Sequence, residues 1–123
     1  MGISDVQAVT ITADTVALDA DGISVATSVG NNAALVIGGA LASGGAVALS
    51  HGRIVTILSA GNDSGKSFTV VGTDINGAAQ TESITGANAG TATGAVFFLT
   101  IASITAVGNP AGNVSAGVNA SAA

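Results

Sequence analysis

The sequence predicts an all-β protein: an antiparallel β-sandwich or barrel-like domain with an extended N-terminal arm. Runs of four to seven β-branched or aromatic residues alternate with Gly, Asn and Asp punctuation, the pattern of strands joined by hairpins. The three phenylalanines, Phe68, Phe97 and Phe98, all fall between residues 52 and 118, which places the main core there. A chain of 123 residues has room for one such core and not comfortably for two. The expected organisation is an arm and hairpin region over 1–50, packing on the core or on a neighbouring subunit. The β domain follows over 51–118, with a flexible tail over 119–123.

Taken in order, Val6–Thr12 alternates loosely and reads as a strand. Thr15–Thr27 reads as a tight hairpin, because Asp21-Gly22 suits a two-residue type I′ loop in which both central residues need φ > 0. That register pairs Leu18 with Val25 and makes one face apolar. Asp14, Asp19 and Asp21 also raise a calcium reading, but nothing supplies a third ligand position or a closing bidentate Glu. From Gly22 to Ser50 no residue is formally charged. Within that stretch Ala33–Leu49 is long enough for a membrane span, yet it is rich in Gly and Ala and weakly apolar. The glycine pairs 38–39 and 44–45 divide it into short strands or an extended arm, with Leu35, Val36 and Ile37 as one apolar piece and Ala46–Leu49 as another.

Arg53–Ser59 is apolar on both faces, which fits a central strand or one covered by a neighbouring subunit. The next hairpin can be argued to its register. Phe68, Val70 and Ile84 should share the inward face, so 68 pairs with 84, 70 with 82 and 72 with 80. A three-residue loop, Ile75-Asn76-Gly77, remains, with Gly77 in the left-handed position of a bulge. Glu82 then faces inward and needs a partner, since an unpaired buried carboxylate is costly. Arg53, Lys66 and a protonated His51 are the candidates for that ion pair. Gly86–Gly94 reads as a small-residue loop. After it, Ala95, Phe97, Leu99 and Ile101 lie on one strand face, with Val96, Phe98 and Thr100 on the other. A further strand spans Ser103–Val107, and Gly108–Gly112 forms a turn before the last strand. Of Phe97 and Phe98, one should fill the core and the other should meet a neighbouring subunit.

Composition narrows function by exclusion. Charged residues make up 7% of the chain, against about 25% in ordinary soluble domains, while 48% is apolar. So little charge suggests that other protein covers part of the surface, in a homo-oligomer or larger assembly. Two basic residues against seven acidic ones leave no means of binding nucleic acid by counterion release, or an anionic membrane by a basic patch. There is no cysteine, hence no disulfide or thiolate metal site. Asp5 precedes any basic or apolar leader segment, so no secretory signal is expected. Ala60–Ser67 matches a relaxed phosphate-loop pattern with Lys66 and Ser67 at its end, but Phe68-Thr-Val-Val is a β sequence where a phosphate loop needs a helix. One His, one Glu, no Cys and no Tyr leave almost nothing for acid–base or nucleophilic chemistry. No catalytic, cofactor-binding or metal-binding set is expected.

Four stretches carry a resemblance: Gly52-Arg-Ile-Val-Thr-Ile, Ser59-Ala-Gly-Asn-Asp-Ser-Gly-Lys-Ser-Phe-Thr-Val, Gly72-Thr-Asp-Ile-Asn-Gly and Ala111-Gly-Asn-Val-Ser-Ala-Gly-Val. Together they resemble a domain in structural proteins of tailed bacteriophages, most of all the small capsid cement or decoration proteins. The similarity covers residues 52–118. It implies a sandwich-like virion protein of the phage head surface, made in the host cytoplasm, whose partners are itself, as a homotrimer, and the major capsid protein. On that reading Phe97, Phe98, Leu35, Val36, Ile37, Glu82 and Arg53 are the structural and interface candidates. The alternative is an immunoglobulin-like β binding module of a phage tail fibre or a cell-surface adhesin.

Overall fold

The computed structural model describes residues 19–122, with the side chains of 120–122 left aside. The expected strand at Val6–Thr12, the first half of the hairpin at Thr15–Leu18, and Asp14 lie outside the described residues. Those described form strands and loops without a helix. The strands are β1 (Asp19–Ser28), β2 (Ala42–Ser43), β3 (Ala46–Ser59), β4 (Ser67–Thr73), β5 (Ala79–Thr85), β6 (Thr91–Val107) and β7 (Asn113–Ala122). They make one antiparallel sheet of seven strands in the order β1-β7-β3-β6-β4-β5, with β2 added to β3.

With no helix or second sheet to cover it, this sheet buries a face by turning on itself. Strand β6 provides the turn. It runs 17 residues, pairing with β3 through Thr91–Ile101 and with β4 through Thr100–Val107. The inward side chains of β1, β3, β4, β5, β6 and β7 meet in one cluster, which includes Ile23, Val55, Ile57, Phe68, Val70, Ile84, Phe98, Ile104 and Val118. Strand β3 is central, between β7 and β6, as its two apolar faces suggest. Gly44 and Gly45 have φ of 63° and 83°, and they close the β2–β3 hairpin, in which Ser43 pairs with Ala46. Positive φ at both loop positions is the type I′ requirement, which glycine meets without steric cost.

The β4–β5 hairpin has the register expected from its apolar positions: Phe68 with Ile84, Val70 with Glu82 and Gly72 with Gln80. Gly77 has φ 83°. Asp74 closes the turn, its Oδ1 accepting the amides of Asn76 at 2.8 Å and Ala78 at 3.0 Å.

Elsewhere the structure corrects the sequence reading. Asp21-Gly22 is not a type I′ turn: neither residue has positive φ, and both lie within β1. The chain bulges there, because Asp19 pairs with Val118 but Ser24 already pairs with Ala116. Gly86–Gly94 is only in part a loop, since β6 begins at Thr91, and β6 continues unbroken through the gap expected between Ile101 and Ser103. Its faces do not alternate as expected either. Phe98 and Ile101 are both fully buried, and a register shift against β4 between Val71 and Gly72 changes which side faces inward before Ile104. The tail is no free end, because β7 continues to Ala122, paired with Arg53.

Residues 19–50 belong to the same fold as the rest. The boundary at 50/51 falls inside β3, and Ile23, Val29, Leu35 and Val47 are buried in the common core. The segment after β1 pairs with β6, where the Leu35 amide donates to the Ile104 carbonyl at 2.8 Å and the Ala106 amide donates to the Ala33 carbonyl at 2.9 Å. Asn32 anchors it further. Its Oδ1 accepts the Gly108 amide at 2.8 Å and its own amide donates to the Gly108 carbonyl at 3.0 Å.

Candidate functional site

The seven candidate residues do not converge on one place. Leu35 is buried, and Ile37 is half-buried against the core. Val36, between them, points outward and is 71% exposed, as period-two alternation requires of an extended segment with one face inward. Phe98 is fully buried. Phe97 is half-buried on the outer side, and its carbonyl accepts a hydrogen bond from Gln80 Nε2 at 2.6 Å. Arg53 is half-buried in β3 and donates from Nη2 to the Asn119 carbonyl at 3.3 Å.

Glu82 makes no ion pair with a described residue. Its Oε2 instead accepts the amide of Ala95 at 2.5 Å. The carboxylate sits where Gly94 has no side chain: a Cβ there would lie 2.6 Å from Glu82 Oε1. A backbone amide on β6 therefore meets one carboxylate oxygen in place of Arg53, Lys66 or His51, while the buried Oε1 has no hydrogen-bond partner among the described residues. The sequence signal for this was the Gly94-Ala95 pair, which supplies a donor with open space beside it.

A second carboxylate, Asp63, was read only as part of a turn. It is fully buried, and it ties three loops together. Oδ1 accepts the Ala111 amide at 2.7 Å, the Asp63 amide donates to the Ala87 carbonyl, and its carbonyl accepts the Lys66 amide, both at 2.9 Å. Gly86 packs so closely that a Cβ there would meet the Asp63 carbonyl at 2.6 Å. Asn62 Oδ1 caps the turn by accepting the Ser64 amide at 3.1 Å. The stretch resembling a phosphate loop leads into strand β4, so no helix N-terminus stands behind it to hold an anion.

The carboxylates of Asp19, Asp63, Asp74 and Glu82 thus all accept backbone amides of their own fold. Among the described residues no three His, Cys, Asp or Glu side chains group as metal ligands. No described helix is long and apolar enough to cross a membrane.

The concave feature of note lies on the surface at the sheet edge. A groove of about 370 Å³ is lined by Val25, Ala26, Thr27, Val36 and Gly38. Val25 is 53% exposed. It was expected on the apolar face of a hairpin, and it faces solvent because that hairpin does not form as read. Of the expected interface residues, Val36 alone lines this groove. Compared with protein families, with curated protein sequences and with solved structures, the chain matches none.

Proposed function

We propose that this chain is a structural virion protein, a capsid cement or decoration protein that stabilises a phage head by bridging subunits of the major capsid protein. The observation that carries this reading is the use of its few charges. Asp19, Asp63, Asp74 and Glu82 hold loops and strands in place, while Val25, Val36, Ile75 and Val107 stand at least half exposed on the surface. A surface of that kind suits permanent contact with other protein better than free solution or turnover of a substrate. The resemblance of residues 52–118 to phage decoration proteins gives the assembly its identity and favours a homotrimer, since capsid lattices offer three-fold positions for a symmetric partner.

Immuno-electron microscopy tests the reading. An antibody against the purified chain should label the heads of the phage particles encoded with it, and light scattering should give three chains per particle of free protein. Label on tail fibres or on a cell surface, with glycan binding or calcium-dependent melting, would overturn it in favour of the adhesin-like module.

A further inference from the structure

The tip of the β4–β5 hairpin carries the one asparagine of the chain that is followed by glycine, Asn76-Gly77. Both residues are exposed. Such a pair can react with itself. The backbone nitrogen of the glycine attacks Cγ of the asparagine, the Cγ–Nδ2 bond breaks, and ammonia leaves behind a five-membered succinimide. Water then opens the ring at either carbonyl, giving aspartate or isoaspartate. Glycine favours the reaction, because it has no Cβ to obstruct the approach and the freest backbone. Among the described residues nothing lies within 4 Å of where a Cβ on Gly77 would stand, so the Asn76 side chain has room to swing over that nitrogen. Asp21-Gly22 could close a similar ring, but Gly22 lies within β1, where a Cβ would meet the Asp19 carboxylate at 2.5 Å and Leu41 at 2.8 Å.

We infer that Asn76 is a site of spontaneous deamidation and that Asp74 sets its rate. Three hydrogen bonds hold the turn against ring closure, and Asp74 accepts all of them. Its carbonyl takes the Gly77 amide at 3.0 Å, which engages the hydrogen that the attacking nitrogen must lose. Its Oδ1 takes the amides of Asn76 at 2.8 Å and Ala78 at 3.0 Å, which fixes the backbone on both sides of Gly77. Deamidation therefore proceeds from a locally opened turn, whose population depends on those bonds. The strand pairs Phe68–Ile84 and Val70–Glu82 need not open with it. Either product changes the tip. Both add a negative charge, two residues from Asp74, to a chain whose formal net charge is −5. Isoaspartate also lengthens the backbone by a methylene, which moves Ala78 away from its bond to Asp74. The loss of ammonia is not reversed, so modified chains accumulate as the protein ages.

Peptide mapping by mass spectrometry reads each asparagine separately in the full chain, aged at mildly alkaline pH. Asn76 should be modified first, with isoaspartate among its products. Asp74→Ala removes two of the three bonds and should speed Asn76 by about tenfold or more, measured against Asn88, which is exposed and precedes Ala89. Asp74→Asn keeps an Oδ1 acceptor and should return that ratio close to the wild-type value. A third measurement needs no variant. In the native protein the Asn76 rate should fall below its rate in denaturant by about the protection factor of the Gly77 amide in hydrogen exchange. Modification of another asparagine ahead of Asn76 overturns the inference. So does a ratio that Asp74→Ala leaves unmoved, or an Asn76 rate equal in the native and denatured chain. None of these readouts depends on what the protein assembles with.

Discussion

Strands β4 and β5 pair over their whole length without a register shift, whereas β1 meets β7 through two. The hairpin is local: its partners are joined by a short loop, and each strand's inward residues (Phe68 and Val70, then Ile84) keep period two. β1 is distant in sequence from β7 and is drawn in two directions. On one side, Ser115 Oγ donates to the Ala20 carbonyl at 3.2 Å, and Gly117 lies under the backbone of Asp19 and Ala20. On the other, residues 38–41 take the carbonyls of Gly22 and Ile23. A residue such as Ile23 contributes about 1.5–3 kcal/mol on full burial, and each of these hydrogen bonds adds about 0.5–1.5 kcal/mol. Local turn preference, within the roughly 1 kcal/mol scale of such effects, does not outweigh them. Where a strand can pair with what is near it, turn chemistry sets the register; where the core claims it first, backbone crowding does.

The largest expected effect falls on what the two regions share. Phe98→Ala should destabilise the protein by roughly 3–5 kcal/mol, measured by chemical denaturation, and should lower protection in both regions alike. Phe97→Ala, at a half-buried position, should cost clearly less. Equal losses would mean that the two rings do not divide between core and outer side.

Next in size are changes that separate the regions. A Cβ at Gly117 would lie 1.7 Å from the Asp19 carbonyl oxygen, so Gly117→Ala should lift β1 from β7 at a cost of about 1–3 kcal/mol. Hydrogen exchange should then accelerate in β1 and stay slow in β4 and β5; uniform acceleration would remove the distinction. Asp63→Ala leaves the Ala111 amide without its acceptor and should cost a similar ~1–3 kcal/mol, read as a lower melting midpoint.

Smaller still is Gly77→Ala. An L side chain in the left-handed region costs roughly 1–2 kcal/mol, and Gly77→Asn should recover part of that loss, because Asn tolerates this conformation. The smallest change is the sharpest contrast. Asp21→Asn would create the favoured Asn-Gly pair of a type I′ turn, yet stability should move by no more than about 0.5 kcal/mol, since no such turn exists there. A clear gain in melting temperature would show the hairpin to be real.

What the sequence by itself determined is whatever rests on short-range alternation and on turn residues with a fixed φ. The all-β class, the central place of β3, the β4–β5 register and the role of Gly77 follow from side chains within a few residues of one another. The need of Glu82 for a partner was legible too, because a carboxylate on an inward face must be satisfied. Which group satisfies it was not: the Ala95 amide stands 13 residues away on another strand, and backbone donors leave no mark in a sequence. Only tertiary structure decided that Asp21-Gly22 is a bulge, that β6 starts inside the expected 86–94 loop and continues through the expected gap at Ala102, and that Asp63 lies buried between three loops. It also decided that Leu35 turns into the core while Val36 opens onto a groove. In each case the choice depended on which distant backbone came within reach, and small residues such as Gly39, Gly86, Gly94 and Gly117 allow that approach without naming the segment that makes it.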